Sequence, residues 1–340
     1  MSAAIAARDE PMPLPPWLEQ PLADLLRRQR GHAVLLAASP GVGLLDLGLA
    51  VAQSWLCEAR AADMPACGAC ASCRLVQAHT HPDLLVLVPE ALQEALGWLA
   101  TEDGEAKASK AKPSREIKVE ALRRAVEFAQ QTSSRGRAKV VVIFPAERMN
   151  AISANTLLKT LEEPPGEARF VLCTEGVDAL LPTIRSRCQM VALHPPEPGM
   201  ARHWLEARGV REGQVLLAAA GGQPYAALAL VEAGVDASQW AALPQRLARG
   251  EGQAVAGWPA PLLVQTLQKL CHDAMAIAVG GSPRYFPSAS FEGLRGDISA
   301  LSAWARELSR VARHEDHPWH AALLADALVA QAKRHLNSPQ

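Results

Sequence analysis

The apolar positions of this chain fall into two regimes. Up to about residue 190, short unbroken apolar runs alternate with segments whose apolar residues recur every three or four positions. The runs HAVLLA (32–37), LLVLVP (84–89), AKVVVIF (138–144), RFVLCT (169–174) and QMVAL (189–193) read as strands, 84–89 and 169–174 as buried ones and 138–144 as apolar enough to sit centrally in a parallel sheet. Between them lie helical segments. One spans 12–30, with Leu22, Leu25 and Leu26 on one face and Arg27, Arg28 and Arg30 at the end where they suit the helix dipole. Others are 44–56, 117–131 with Val119, Leu122, Val126 and Ala129 on one face, and NTLLKTLEEPP (155–165), stopped by its two prolines. Strand–helix alternation of this kind predicts an α/β domain around a parallel sheet.

The second regime begins after PPEPG (195–199), which reads as a linker. Short helices are expected at 201–206, 211–219 and 224–232, with Gly221-Gly222 at a turn, forming a small helical lid. From about residue 236 the longer Leu/Ala-periodic segments 262–278, 298–313 and 320–336 describe a helical bundle, with a Gly/Pro/Ser-rich loop at 280–290. The expected domains are therefore 1–195, 196–237 and 238–340. One stretch, 90–116, fits neither regime. It is charged and alanine-rich, and reads as a mobile surface insertion, partly helical around Leu92 to Leu99.

Composition narrows the function. Nearly half of the 340 residues are hydrophobic but only 4% are aromatic, which suits Ala/Leu-rich helices. A formal net charge of −1 argues against an independent DNA-binding protein, whose phosphate contacts need a basic excess; nucleic-acid work would be shared with partners. The start, MSAAIAARDEP, has no basic lead and an early acidic pair, unlike a signal peptide, and no run approaches the roughly eighteen apolar residues of a membrane span. The expectation is a cytoplasmic protein without a membrane partner.

Two motifs carry chemistry. Four of the seven cysteines, Cys57, Cys67, Cys70 and Cys73, have the spacing C-x9-C-x2-C-x2-C. In a reducing compartment this suggests one zinc held by four thiolates, since C-x2-C turns aim two sulfurs at one ion and Gly68 frees the turn between them. A full thiolate set leaves no open position for water, so the site reads as structural. His79 and His81 are near enough in sequence to be considered as ligands.

The second motif is ASPGVGLL (38–45), which has the frame of a phosphate-binding loop between a strand and a helix. Such loops read G-x-x-x-x-G-K-[ST], the lysine reaching the terminal phosphates and the hydroxyl holding Mg²⁺. Here Pro40, Gly41 and Gly43 remain. Ala38 replaces the first glycine, Leu44 the lysine and Leu45 the hydroxyl residue. The strand ending at Phe144 is followed by Pro145, Ala146 and Glu147, so its two leading positions lack the carboxylates an active site needs. Glu147 reads as a surface residue. Taken alone, 38–45 is also compatible with an ordinary strand–turn–helix corner.

Taken together, PPW, HAVLL, the loop frame, the four cysteines, THPDLLVL, NTLLKTLEEPP and TIRSRC resemble the delta-prime subunits of bacterial DNA polymerase III clamp loaders, members of the AAA+ superfamily. The matching motifs cover roughly 14–190, and the C-terminal third follows by analogy of layout. The resemblance implies a RecA-like α/β AAA+ domain with a parallel sheet and a zinc module (57–80), then a small helical lid and an all-α collar domain. It implies assembly with ATP-hydrolysing subunits of the tau/gamma type and a clamp-opening delta subunit, acting through the complex on the sliding clamp and primed DNA. It makes Arg187 of SRC an arginine finger aimed at ATP held by the neighbour, with Arg185 as the alternative. Thr174 falls at a γ-phosphate sensor position. Tyr225 and Ala226 stand where an active lid offers arginine. Loss of loop, strand-end and lid groups together implies that ATP is not bound tightly here and that the chain has no ATPase of its own. Two rival readings are a weakly active P-loop ATPase using backbone N–H groups alone and a zinc-dependent DNA-binding protein.

Overall fold

A computed structural model describes residues 13–61, 63–96, 113–294, 296–314 and 320–338. Most of the insertion stretch, 97–112, lies outside them. The chain divides into two compact units, Met1–Met200 and Ala201–Gln340.

The first unit opens with α1 (Pro16–Arg28), followed by β1 (Ala33–Ala37), α2 (Leu44–Leu56) and α3 (Ala71–Gln77). Then come β2 (Leu84–Leu87), α4 (Glu90–Ala95), α5 (Val119–Gln130), β3 (Lys139–Ile143) and α6 (Ala151–Glu162). It closes with β4 (Ala168–Thr174), α7 (Pro182–Arg185) and β5 (Gln189–Ala192). The five strands form one sheet in the order β2-β3-β4-β1-β5, every pair parallel. The unbroken apolar runs are explained by the two faces. Val34, Leu36, Val140, Val142, Val171 and Cys173 pack with α1 and α2, while Leu35, Val141, Ile143, Phe170 and Leu172 pack with α5 and α6. Gly48 lets α2 lie close on the sheet, since a Cβ there would stand 2.7 Å from Cys173 Sγ.

Two elements differ from the sequence pattern for local reasons. Helix α6 begins four residues earlier than its leucine periodicity indicates, because the Asn150 side chain caps it by accepting from Ser153 N at 3.0 Å. The start of the insertion stretch is core rather than surface: Leu92 and Leu96 are buried with the α1–α2 layer, and Glu90 pairs with Lys118 and accepts from Ser114 N at 3.0 Å.

α8 (Pro198–Glu206) runs across the division, and the second unit continues with α9 (Gly213–Ala219), α10 (Pro224–Glu232), α11 (Ala237–Arg249) and α12 (Ala260–Ala278). α13 (Ile298–Ala312) and α14 (Ala321–Leu336) complete it. Trp240 and Trp304 are fully buried in its core, to which α9 and α10 also contribute Ala219 and Leu230. The loop after α12 is tied down by the buried Asp273 carboxylate, which accepts from the backbone N–H groups of Arg284, Tyr285 and Phe286 at 2.7–2.9 Å. Among the described residues no single helix is long and apolar enough to cross a membrane.

Candidate functional site

The four cysteines converge at the C-terminal end of α2. Cys57 caps that helix, Cys70 caps α3, Cys73 lies in its first turn, and Cys67 sits in the loop between. The four Sγ atoms lie within 4.8 Å of one another, with Cys57–Cys70 and Cys67–Cys73 at 3.9 Å. That is close to the edge of about 3.8 Å expected for a tetrahedron of sulfurs 2.3 Å from one ion. Backbone N–H groups aim at the sulfurs: Cys67 N to Cys57 Sγ at 3.4 Å, Cys70 N to Cys67 Sγ at 3.3 Å and Cys73 N to Cys70 Sγ at 3.4 Å. Such donors favour thiolate. The N–H groups of Ala69 and Cys70 hold the Cys67 thiol below its ordinary range, whereas burial pushes the Cys73 thiol up. The donor set fits a single metal ion.

Neither nearby histidine joins it. His81 is buried, its Nδ1 accepting from Asp83 N at 3.0 Å and its Nε2 meeting Ser72 Oγ at 3.1 Å. Ser72 donates to Glu58 at 3.0 Å, and Arg135 bonds to both. Asp83 pairs with Lys139 at 3.0 Å and accepts from Ser134 N and Arg135 N. The cysteine module is thereby fastened to the sheet edge where β2 and β3 begin. The HPD triplet was the sequence signal for this network, and its partner Arg135 lies more than fifty residues downstream.

The loop remnant occupies the C-terminal end of β1, where register pairs Ala37 with Thr174 of β4 and with Ala192 of β5. Here the strand order reverses, the place where open α/β sheets take ligands. Gly41 and Gly43 have φ of 83° and 93°, so the backbone path that requires glycine is kept. Its filling is apolar. Val42, Leu44 and Leu45 are buried in the core, and the Val42 carbonyl accepts from Trp17 Nε1 at 2.8 Å.

Glu147 is half-buried rather than free at the surface. Its carboxylate accepts from Thr174 Oγ1 at 2.8 Å and from Glu175 N at 3.3 Å. Burial, and then the Glu147 charge, push the Glu175 carboxyl up to about 7. Its folded pKa thus lies above the unfolded value, so its contribution to stability is full below pH 4.5 and is lost as pH rises through about 7. Glu175→Gln should therefore raise the unfolding free energy read from urea titration at pH 8 by on the order of 1–3 kcal/mol, and change it little at pH 5. Equal shifts at both pH values would contradict this.

Arg187 follows the short helix α7, whose buried Ile184 anchors the turn and accepts from Arg187 N at 3.1 Å. Its guanidinium donates from Nη1 to the Thr183 carbonyl at 3.0 Å and from Nη2 to Glu162 at 3.2 Å. Its Nε is buried without a hydrogen-bond partner, while 29% of the side chain stays exposed. Arg185 is held loosely, 3.9 Å from a fully exposed Asp178. Sequence reasoning missed Glu162, although a signal existed: acidic Glu162 and Glu163 end a helix whose dipole disfavours negative charge there. In the second unit Tyr225 is buried, 5.0 Å from the Trp204 ring centroid, and faces helical core.

Comparison with known proteins gives consistent matches. The family model described as DNA polymerase III, delta subunit, matches residues 18–197. The chain is 33% identical to DNA polymerase III subunit delta' of Escherichia coli K12 over 276 residues, covering 75% of this chain and 76% of that one. It is 38% identical to the delta' subunit of Pseudomonas aeruginosa over 227 residues, covering 65% and 62%. The tau subunit of E. coli is 30% identical over 230 residues, covering 65% of this chain and 30% of that one. Among solved structures, a DNA polymerase III gamma subunit-related protein from Thermotoga maritima shares the fold, with a TM-score of 0.50 at 15% identity, covering 94% of this chain and 99% of that one.

Proposed function

The chain belongs to the delta' family of DNA polymerase III subunits, and on that footing we propose that it acts in the clamp loader without a nucleotide of its own, lending Arg187 to a neighbouring ATPase. Its relatives are clamp-loader subunits, so it works in a complex of such subunits. The specific partners are ATP-hydrolysing subunits of the tau/gamma type and a clamp-opening delta subunit. Through them it helps to open the sliding clamp and load it on primed DNA. The α/β unit is the AAA+ domain, α8–α10 act as its lid, and the helices from α11 onward form the collar through which the subunits assemble.

The observation that carries this reading is the contrast between two places in one unit. At the loop the glycine-dependent backbone survives, but buried Leu44 and Leu45 stand where a cation and a hydroxyl would meet phosphate. A lysine at position 44 would face core rather than phosphate. At Arg187 a cationic fork stays partly accessible on a surface turn anchored by the buried Ile184. A guanidinium supplies fixed charge as negative charge develops on a transferring γ-phosphate, and it does so from outside the chain that binds the nucleotide. Keeping the fold without its own nucleotide chemistry is consistent with that service. Thr174, bonded to Glu147, keeps the sensor position without a phosphate to sense.

The four thiolates hold one zinc, whose role is structural because all four ligand positions are protein. It closes the loop 58–70, which has little apolar surface of its own, onto the end of α2.

Equilibrium titration with Mg-ATP tests the cis half. The isolated chain should give no binding in the micromolar range, and a micromolar Kd would instead favour a P-loop ATPase working through backbone N–H groups. Salt-sensitive DNA binding by the isolated chain, measured in the same preparation, would favour a zinc-dependent DNA-binding protein.

A further inference from the structure

We infer that Glu162 is the positioning residue for Arg187, fixing the plane of its guanidinium before the neighbour's phosphate arrives; this rests on the finger reading of Arg187. The two residues are twenty-five positions apart, Glu162 ending α6 and Arg187 following α7, and the fold brings them to 3.2 Å. An arginine side chain is long and loses its service if it wanders. Here the guanidinium is held at two points, Nη1 on the Thr183 carbonyl and Nη2 on Glu162, while Nε lies buried with no acceptor. Two fixed points leave the fork one orientation. Each Nη carries a second hydrogen, so a phosphate can be bound without breaking either contact. Kinases use the same device, a carboxylate on a helix orienting a cation that contacts ATP phosphates.

The location of Glu162 argues that stability is not what it serves. It is the last residue of α6, where the helix dipole opposes a carboxylate, and its side chain is 60% exposed, so an ion pair there adds little to folding. Apart from Arg187, no cation among the described residues pairs with it. The charge is placed against the helix and toward the arginine.

The test uses the reconstituted loader with clamp and primed DNA, comparing Glu162→Ala, Glu162→Gln, Arg187→Ala and the Glu162→Ala/Arg187→Ala double variant. Glu162→Ala should lower kcat for ATP hydrolysis about threefold to tenfold with KM for ATP little changed, because the neighbour's own loop binds the nucleotide. Glu162→Gln keeps an acceptor oxygen and should restore most of the rate. In the Arg187→Ala background Glu162→Ala should cost nothing further. The thermal midpoint of the free chain should stay the same or rise. Wild-type kcat for Glu162→Ala beside a slow Arg187→Ala would overturn this inference and leave the finger reading intact. An equal loss in both backgrounds, or a falling thermal midpoint, would also overturn it by making Glu162 merely structural. Wild-type turnover for Arg187→Ala would overturn the finger reading itself, and this inference with it.

Discussion

Arg187→Ala should remove most of the clamp-stimulated ATP hydrolysis at the site it faces in the assembled loader, on the order of a thousandfold at that site. Total turnover should fall less, because on the proposed reading hydrolysis at the other sites of the complex masks part of the loss. The loss should appear in kcat. Arg187→Lys should not restore it, since an ammonium on a flexible stem cannot reproduce the two-point hold on Thr183 and Glu162 or the planar fork offered to phosphate. Single-turnover hydrolysis in the reconstituted loader measures this directly, and the isolated variant should melt like the wild type because the guanidinium is not part of the core. Unchanged turnover would refute the assignment. A matching loss from Arg185→Ala alone would move the role to that residue, which the geometry does not favour given its loose 3.9 Å contact with Asp178.

Metal removal should produce the second large effect. Protein purified without chelators should carry about one zinc per chain. Stripping it, or replacing Cys73 by serine, should destabilise the first unit by on the order of 3 to 5 kcal/mol and open the segment around 58–82 to protease. The reason is local. The module is held by its sulfurs, by the buried Val76 of α3 and by polar ties, Ala66 N to Ser54, Gln53 to the Cys73 carbonyl, Gln77 to the Gly68 carbonyl and the Ser72–Glu58–Arg135 network. Cys57 and Cys73 are buried, and burial pushes the Cys73 thiol up, so without an ion Cys73 reverts to a neutral thiol and the bonds that close the module are lost. Cys67→Ser, at an exposed ligand, should cost less than Cys73→Ser. Metal-free protein of undiminished stability would contradict the site.

Much of this fold is legible in the sequence, and the exceptions have physical causes. The central strands β1, β3 and β4 are legible because a strand covered on both faces is nearly all apolar, as these are apart from Lys139, Arg169 and Thr174, whereas the edge strands β2 and β5 are only partly buried. The cysteine cluster was legible because ligand spacing is a covalent constraint. What could not be read are pairings made by the turn of the sheet. Glu147 resembles a surface residue beside its sequence neighbours, yet β3 and β4 are adjacent, so it reaches Thr174 twenty-seven residues away. Glu162 finds Arg187 only because α6 and α7 end at the same edge. His81 looked like a possible ligand by distance along the chain, but its ring is spent on Ser72 and on Asp83 N. Leu92 and Leu96 were hidden by the charged residues that follow them, and only packing on the α1–α2 layer reveals them as core. Asp273, an acid in an apolar helix, gave no sign of the three N–H groups it collects from the loop beyond.

On the proposed reading, the nucleotide served by this chain belongs to its neighbour. A structure of the assembled loader with a non-hydrolysable ATP analogue and Mg²⁺ tests it most directly. The prediction is a guanidinium of Arg187 within hydrogen-bond distance of the neighbour's γ-phosphate, Glu162 still beside it, and no nucleotide on residues 38–45 of this chain. An analogue bound at 38–45, or Arg187 remote from every phosphate, would contradict it.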